Sequence, residues 1–156
     1  MGRSGITGFR SSMPKVLSHQ PDFVTLNDQA ARSLPQIEAA APGYSAYRDN
    51  SPATGAGADQ ARGTVVLYKD GWQLLDGGRI QIVDDDHTVY NGHPVVGDRY
   101  ATWALLKRSR DGAIVAVVSV HHTTNPANHG PDKPARQKQY GKAQYGQAQY
   151  GQAQYG

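Results

Sequence analysis

Apolar positions in this chain come in short runs separated by turn chemistry, a pattern that predicts several strands and few helices. The clearest case is near the end of the ordered-looking part. Arg99-Tyr-Ala-Thr-Trp-Ala-Leu-Leu-Lys107 and the run over residues 113–120 flank Asp111-Gly112, which predicts a β-hairpin. The second run is apolar at both alternating sets of positions, so it reads as a strand buried on both faces. It ends at His121-His122. A buried strand carries an imidazole where its end emerges, and sites in layered α/β proteins gather at strand ends. His122 points the other way on a strand and reads as structural or exposed.

Upstream, residues 13–18 predict a short helix, broken by Pro21-Asp22, and residues 23–28 a short buried strand. Residues 29–40 have helix-forming composition but contain Pro35, which predicts a broken helix. Residues 44–48 suit an edge strand, residues 51–62 a Gly/Ala/Pro-rich loop, and residues 63–69 a strand. Asp70-Gly71 predicts a turn into residues 72–75, and Gly77-Gly78 a second turn or bulge before residues 79–83. Residues 84–98 are polar and read as a long loop. The fold class that follows is mixed α/β, with 156 residues enough for one domain.

The last twenty residues repeat a pentad: Gln-Lys-Gln-Tyr-Gly, Lys-Ala-Gln-Tyr-Gly, then Gln-Ala-Gln-Tyr-Gly twice. A period of five matches neither a helical stripe nor a strand. The repeat has no aliphatic residue larger than Ala, so it predicts a disordered tail that adds nothing to a core. The functional alternative is a Tyr/Gln segment for self-association or for stacking on single-stranded nucleic acid. The net charge of +3 also belongs to this end: Lys133, Arg136, Lys138 and Lys142 stand against Asp132, and the remainder balances. A nucleic-acid-binding body is not indicated by that distribution. There is no Cys, which excludes disulfides and zinc–thiolate sites and leaves the compartment open. No apolar run is long enough to span a bilayer, and the first residues lack the apolar segment of a secretory signal.

Four segments carry a family resemblance. Pro21-Asp-Phe-Val-Thr-Leu-Asn-Asp28 resembles the first-carboxylate strand of the endonuclease/exonuclease/phosphatase (DNase I-like) superfamily, where a Glu normally ends the run. Gly63-Thr-Val-Val-Leu-Tyr-Lys69 resembles its next core strand. Arg99-Tyr-Ala-Thr-Trp-Ala104 resembles the segment with an Arg before a core strand. Ser119-Val-His-His-Thr-Thr-Asn-Pro126 resembles the strand ending in Asn-Thr-His-Leu. Together they cover about residues 14–140. The chain departs from the family in having Asp28 for Glu, and the later Gly-Asp-Phe-Asn and Ser-Asp-His motifs are absent. The resemblance therefore implies the N-terminal half of a layered β-sandwich with flanking helices over residues 1–136, followed by the pentad tail over 137–156.

It also implies metal-dependent hydrolysis of a phosphodiester or phosphomonoester, nucleic acid included, with Mg²⁺ as the cofactor. Asp28 would be the metal ligand, His121 the catalytic contact to the phosphate, and Arg99 and Asn125 substrate-binding residues. With half the motifs missing, activity is expected to be weak or absent, and uncovered apolar strands favour self-association. The alternative is a non-catalytic fragment, or an interaction protein acting through its tail.

Each residue has a structural reading too. Asp28 suits the N-cap of a helix from Gln29. His121 suits a neutral ring satisfied by a carbonyl. Arg99 could pair with Asp98, Asp111 or another carboxylate, and Asn125-Pro126 is a common turn start. The run Asp84-Asp85-Asp86-His87 lacks calcium-loop spacing and reads as a solvated acidic loop. Trp72 and Trp103 read as core. Gly55-Ala56-Gly57 is too short for a phosphate-binding fingerprint.

Overall fold

The structure, a computed structural model, describes residues 6–52, 60–83, 89–90, 93–94 and 99–121. The first element, α1 (Ile6–Leu17), is longer than the expected helix at 13–18. Phe9 and Met13 are buried, and Leu17 packs beside them. That spacing of four puts all three on one helical face. Pro14 lies inside the helix, yet burial of this face outweighs the one backbone bond its missing N–H forfeits. Residues 29–33 are not helical. Instead α2 is the five residues Leu34–Glu38, with Pro35 in the first turn, where a missing N–H leaves nothing unpaired. Ser33 caps it, accepting from the Gln36 N–H while the Gln36 side chain accepts from the Ser33 N–H.

Sheet A runs in the order β1 (Phe23–Leu26), β3 (Val65–Lys69), β2 (Tyr44–Tyr47), all antiparallel. Strand alternation divides β3. Val65 and Leu67 face both helices, in a core with Phe9, Met13, Leu26, Ile37, Ala41 and Tyr44. Val66 faces the other way, onto Ala104 and Leu106 of the second sheet. Sheet B has the order β4 (Trp72–Val83), β7 (Arg99–Arg108), β8 (Ile114–Val120), again antiparallel. The two sheets pack face to face as a β-sandwich. Between them the buried hydroxyls of Thr64 and Thr102 lie 2.7 Å apart, and Thr102 also donates to the Thr64 carbonyl.

Gly77-Gly78 does not make a turn. β4 runs through it for twelve residues, with a register shift between Leu74 and Asp76. A Cβ on Gly77 would collide with the Tyr47 ring, and one on Gly78 would lie 2.9 Å from the Trp103 indole nitrogen. The pair is there for close approach on the two faces of the strand. Trp72 and Trp103 are accordingly half-buried, not fully enclosed. Within the expected loop at 84–98, β5 (Val89–Tyr90) and β6 (His93–Pro94) pair. The acidic run Asp84-Asp85-Asp86-His87, Gly55-Ala56-Gly57 and the pentad tail lie outside the described residues.

The hairpin at Asp111-Gly112 forms as expected, with Gly112 at φ +75°. Arg108 clasps the Asp111 carboxylate through two nitrogens at 2.9 and 2.8 Å, and the Ala113 N–H adds a third bond. These bonds, Arg108 first, hold the Asp111 carboxyl below the usual carboxylate range. A depressed folded-state value means the clasp stabilises the hairpin above the unfolded pKa and is lost as pH falls through the folded one. Carbon-13 titration should place the Asp111 midpoint below that of an ordinary Asp. An ordinary midpoint would show that the clasp is not populated in solution.

One expectation about β8 is overturned. The strand is not buried on both faces: Ser119 is enclosed, but Ile114 is 47% exposed and Ala116 is exposed as well. Both helices bury their apolar residues on sheet A, so among the described residues no helix covers the outer face of sheet B.

Candidate functional site

β1 ends at Leu26, and the chain turns sharply over the next three residues. Asp28 has φ +58°, a left-handed conformation that Asp and Asn tolerate better than other side-chain-bearing residues. The turn is locked from below. The Gln29 N–H donates to the Gly63 carbonyl at 2.9 Å, and the fully buried Gln29 side chain accepts from Arg32 at 2.9 Å. The next helix starts at Leu34 behind its own cap, Ser33, so the helix-capping reading of Asp28 is excluded.

This turn places the Asp28 carboxylate beside His121, the residue that follows β8. Asp28 Oδ1 and His121 Nδ1 are 3.5 Å apart, with about a quarter of each side chain exposed (28% and 26%). The separation suits an ion pair when the imidazole is protonated and is long for a strong hydrogen bond. The two residues come from different sheets, not from neighbouring strands of one sheet as their shared position at strand ends would suggest. β1 and β8 are edge strands that face each other across the sandwich. Ser119 ties them by donating to the Leu26 carbonyl at 3.2 Å.

Arg99 heads β7 at this same end, since Ala101 pairs with Val120. It is 8% exposed, so its side chain is largely covered and not displayed on the surface. Asp111 lies at the far end of the hairpin, engaged by Arg108, which rules out the Arg99–Asp111 pairing. Asp98 and Asn125 lie outside the described residues.

The sequence reading missed Arg48, which follows β2 and is also 8% exposed. One of its terminal nitrogens donates to the carbonyls of Gln29, Arg32 and Arg62 at 3.2, 3.0 and 3.3 Å, and its Nε donates to Asn50 at 3.1 Å. Burial and the nearby Arg62 push its pKa down, though a guanidinium remains charged in a protein. Arg48 thus pins the loop after Asp28 to the turn before β3. The only sequence signal was a charge directly after an apolar edge strand, and nothing in it names the carbonyls.

Among the described residues no three His, Cys, Asp or Glu side chains cluster as metal ligands. Asp28 and His121 are a pair. A hollow lined by Asp22, Lys69, Asp70, Trp72, Arg108 and Arg110 lies at the opposite end, between the turn before β4 and the hairpin tip. No described helix is long and apolar enough to cross a membrane.

No protein-family model and no curated protein sequence matches the chain. Solved structures do. The mannosyl-6-phosphatase of Bacteroides thetaiotaomicron superposes with TM-score 0.70 at 17% identity, over 97% of this chain and 54% of that one. An endonuclease/exonuclease/phosphatase protein of Bacteroides vulgatus gives 0.55 at 21% identity, over 84% and 48%. Truncated TDP2 of Caenorhabditis elegans gives 0.59 at 18% identity, over 99% and 53%. The chain spans about half the length of these structures. Its fold is therefore a partial endonuclease/exonuclease/phosphatase fold, a DNase I-like sandwich of which this chain forms about half.

Proposed function

We propose that the Asp28–His121 end of the sandwich binds a phosphoester together with Mg²⁺, and that the chain alone hydrolyses such esters weakly or not at all. The reading is supported by one observation: two separate sheets bring a carboxylate and an imidazole to 3.5 Å at a partly open strand end. The chemistry suits a phosphate. Mg²⁺ takes one or two carboxylates and fills its remaining positions with water and phosphate oxygens, so Asp28 fits as a single protein ligand. His121 in its charged form donates to a phosphoryl oxygen. Arg99 and Asn125 are the further substrate-binding residues of this reading, Arg99 as a guanidinium that pairs with phosphate and Asn125 as a polar side chain. When bound, the metal would neutralise phosphate charge and polarise water.

Weak turnover follows from the small number of groups. Losing one general acid or base costs about 10²–10⁴-fold, and groups that act as a unit lose nearly everything together. Phosphodiesters, phosphomonoesters and nucleic acid all fit this chemistry as substrates.

The test separates binding from turnover. Mn²⁺, standing in for Mg²⁺, should broaden the amide signals of residues 27–29 and 121 in wild type and leave Asp28→Ala sharp. Identical spectra in both proteins would sink the metal-site reading. Hydrolysis of bis(p-nitrophenyl) phosphate with Mg²⁺ should stay near background. Robust cleavage that disappears in Asp28→Ala would refute the weak-turnover half of the proposal and leave the site intact.

A further inference from the structure

Three buried hydroxyls lie next to the Asp28–His121 pair, at positions where strand alternation leads to the core between the sheets. Ser119 shares the inward face of β8 with Val115 and Val117. Thr102 shares that of β7 with Ala104 and Leu106, and Thr64, just before β3, lies on the same side as Val66. Ser119 and Thr102 have no exposed surface and Thr64 has 1%. A buried hydroxyl without a partner is destabilising, so each has to be met inside the fold.

They are met across the gap between the sheets. Ser119 donates to the Leu26 carbonyl at 3.2 Å, and its oxygen also lies 3.5 Å from Asn27 Oδ1. Thr102 bonds Thr64 through both its hydroxyl and its carbonyl. Ser119 and Thr102 are register partners in sheet B, and Leu26 pairs in sheet A with Val65, the neighbour of Thr64. The two ties are therefore adjacent rungs of one polar seam. Only the Ser119 rung lies on the strands that lead to the pair. It stands two residues inward on each of them, Leu26 from Asp28 and Ser119 from His121, about 7 Å along a strand.

β1 and β8 belong to different sheets, so no backbone ladder between them fixes the distance from Asp28 to His121. Apolar packing is non-directional and tolerates sliding of one sheet over the other. A hydrogen bond does not, because it weakens steeply outside a narrow range of distance and angle. We propose that Ser119 is the positioning residue of this site: its hydroxyl, bonded across the sandwich to β1, sets the separation of the Asp28 carboxylate and the His121 imidazole. Its role in binding rests on the phosphoester reading, whereas the geometry it sets is measurable without any ligand.

In the metal-free full chain the ring protons of His121 should show a nuclear Overhauser contact to the Asp28 methylene. Ser119→Ala should lose that contact while keeping the circular dichroism of the wild type. Thr102→Val removes the neighbouring rung and should retain the contact. With Mn²⁺ added, Ser119→Ala should keep the broadening at residues 27–29, beside the carboxylate that holds the ion, and lose it at residue 121. Thr102→Val should keep both. A contact that persists in Ser119→Ala at wild-type intensity overturns the proposal, and so does its absence from the wild type. Equal loss in Thr102→Val also overturns it, since a seam that merely holds the sheets together would give that result. If Ser119→Ala does not fold, Ser119→Cys decides by the same comparison, because its thiol keeps a side chain at the site and is a weak donor. Mn²⁺ that broadens neither segment in wild type sinks the metal reading alone, and the metal-free contact still decides for Ser119.

Discussion

Arg48→Met is expected to lower the unfolding free energy by about 3 kcal/mol and to release the loop that carries Asp28. A hydrogen bond to a charged group contributes about 1.5–3 kcal/mol. Here one guanidinium nitrogen serves the carbonyls of Gln29, Arg32 and Arg62. Three bonds sharing a nitrogen do not add in full, which sets the estimate near the worth of one or two. Met keeps the aliphatic stem and removes only the donors, so packing loss is a small part of the effect. The buried Gln29 carbonyl loses a partner, and an unsatisfied buried acceptor carries its own desolvation penalty. Urea unfolding should show a lower midpoint at unchanged slope. Mn²⁺ broadening at residues 27–29 should fall in the same variant, because Gln29 is the residue next to Asp28. An unchanged midpoint would mean that Arg48 is not the anchor of this loop.

Leu67→Ala should cost about 2–5 kcal/mol, the range for emptying an enclosed leucine site. Leu67 has no exposed surface, and it sits at the centre of β3 between Val24 and Ala46. It faces the core where Phe9 and Met13 of α1 meet Ile37 of α2. The collapse needed to fill the void would have to move a helix and two strands together. Leu75→Ala is the matched control: that side chain is 45% exposed, and its removal should change stability by no more than about 0.5 kcal/mol. The contrast tests where the stability of a partial sandwich resides. Among the described residues the apolar cluster between sheet A and the helices has eight buried members, whereas the buried apolar cluster between the sheets has three, Val66, Ala104 and Leu106. A small loss for Leu67→Ala would mean that the helix layer contributes little.

The sequence alone determined most of the strands and the turns at Asp70-Gly71 and Asp111-Gly112. Apolar runs marked β1, β2, β3, β7 and β8, and Asp111-Gly112 marked the hairpin, because strand alternation and turn residues act over a few neighbouring positions. The order of four weak motifs also pointed to the fold that solved structures display at 17–21% identity. Asp28 and His121 stood out as strand-end residues. Three things were decided by tertiary structure. Gly77-Gly78 lies within β4 and leaves room for the Tyr47 and Trp103 rings, which a Cβ at either position would meet, and those rings come from other strands. The first helix runs through Pro14 because sheet A rewards burial of Phe9 and Met13 with Leu67. The Asp28–His121 pair joins two sheets, and Ile114 and Ala116 of β8 are exposed, because which face a strand buries depends on the layers present around it. Local pattern records which side chains favour burial, and only the packed chain determines whether a neighbouring layer is there to bury them.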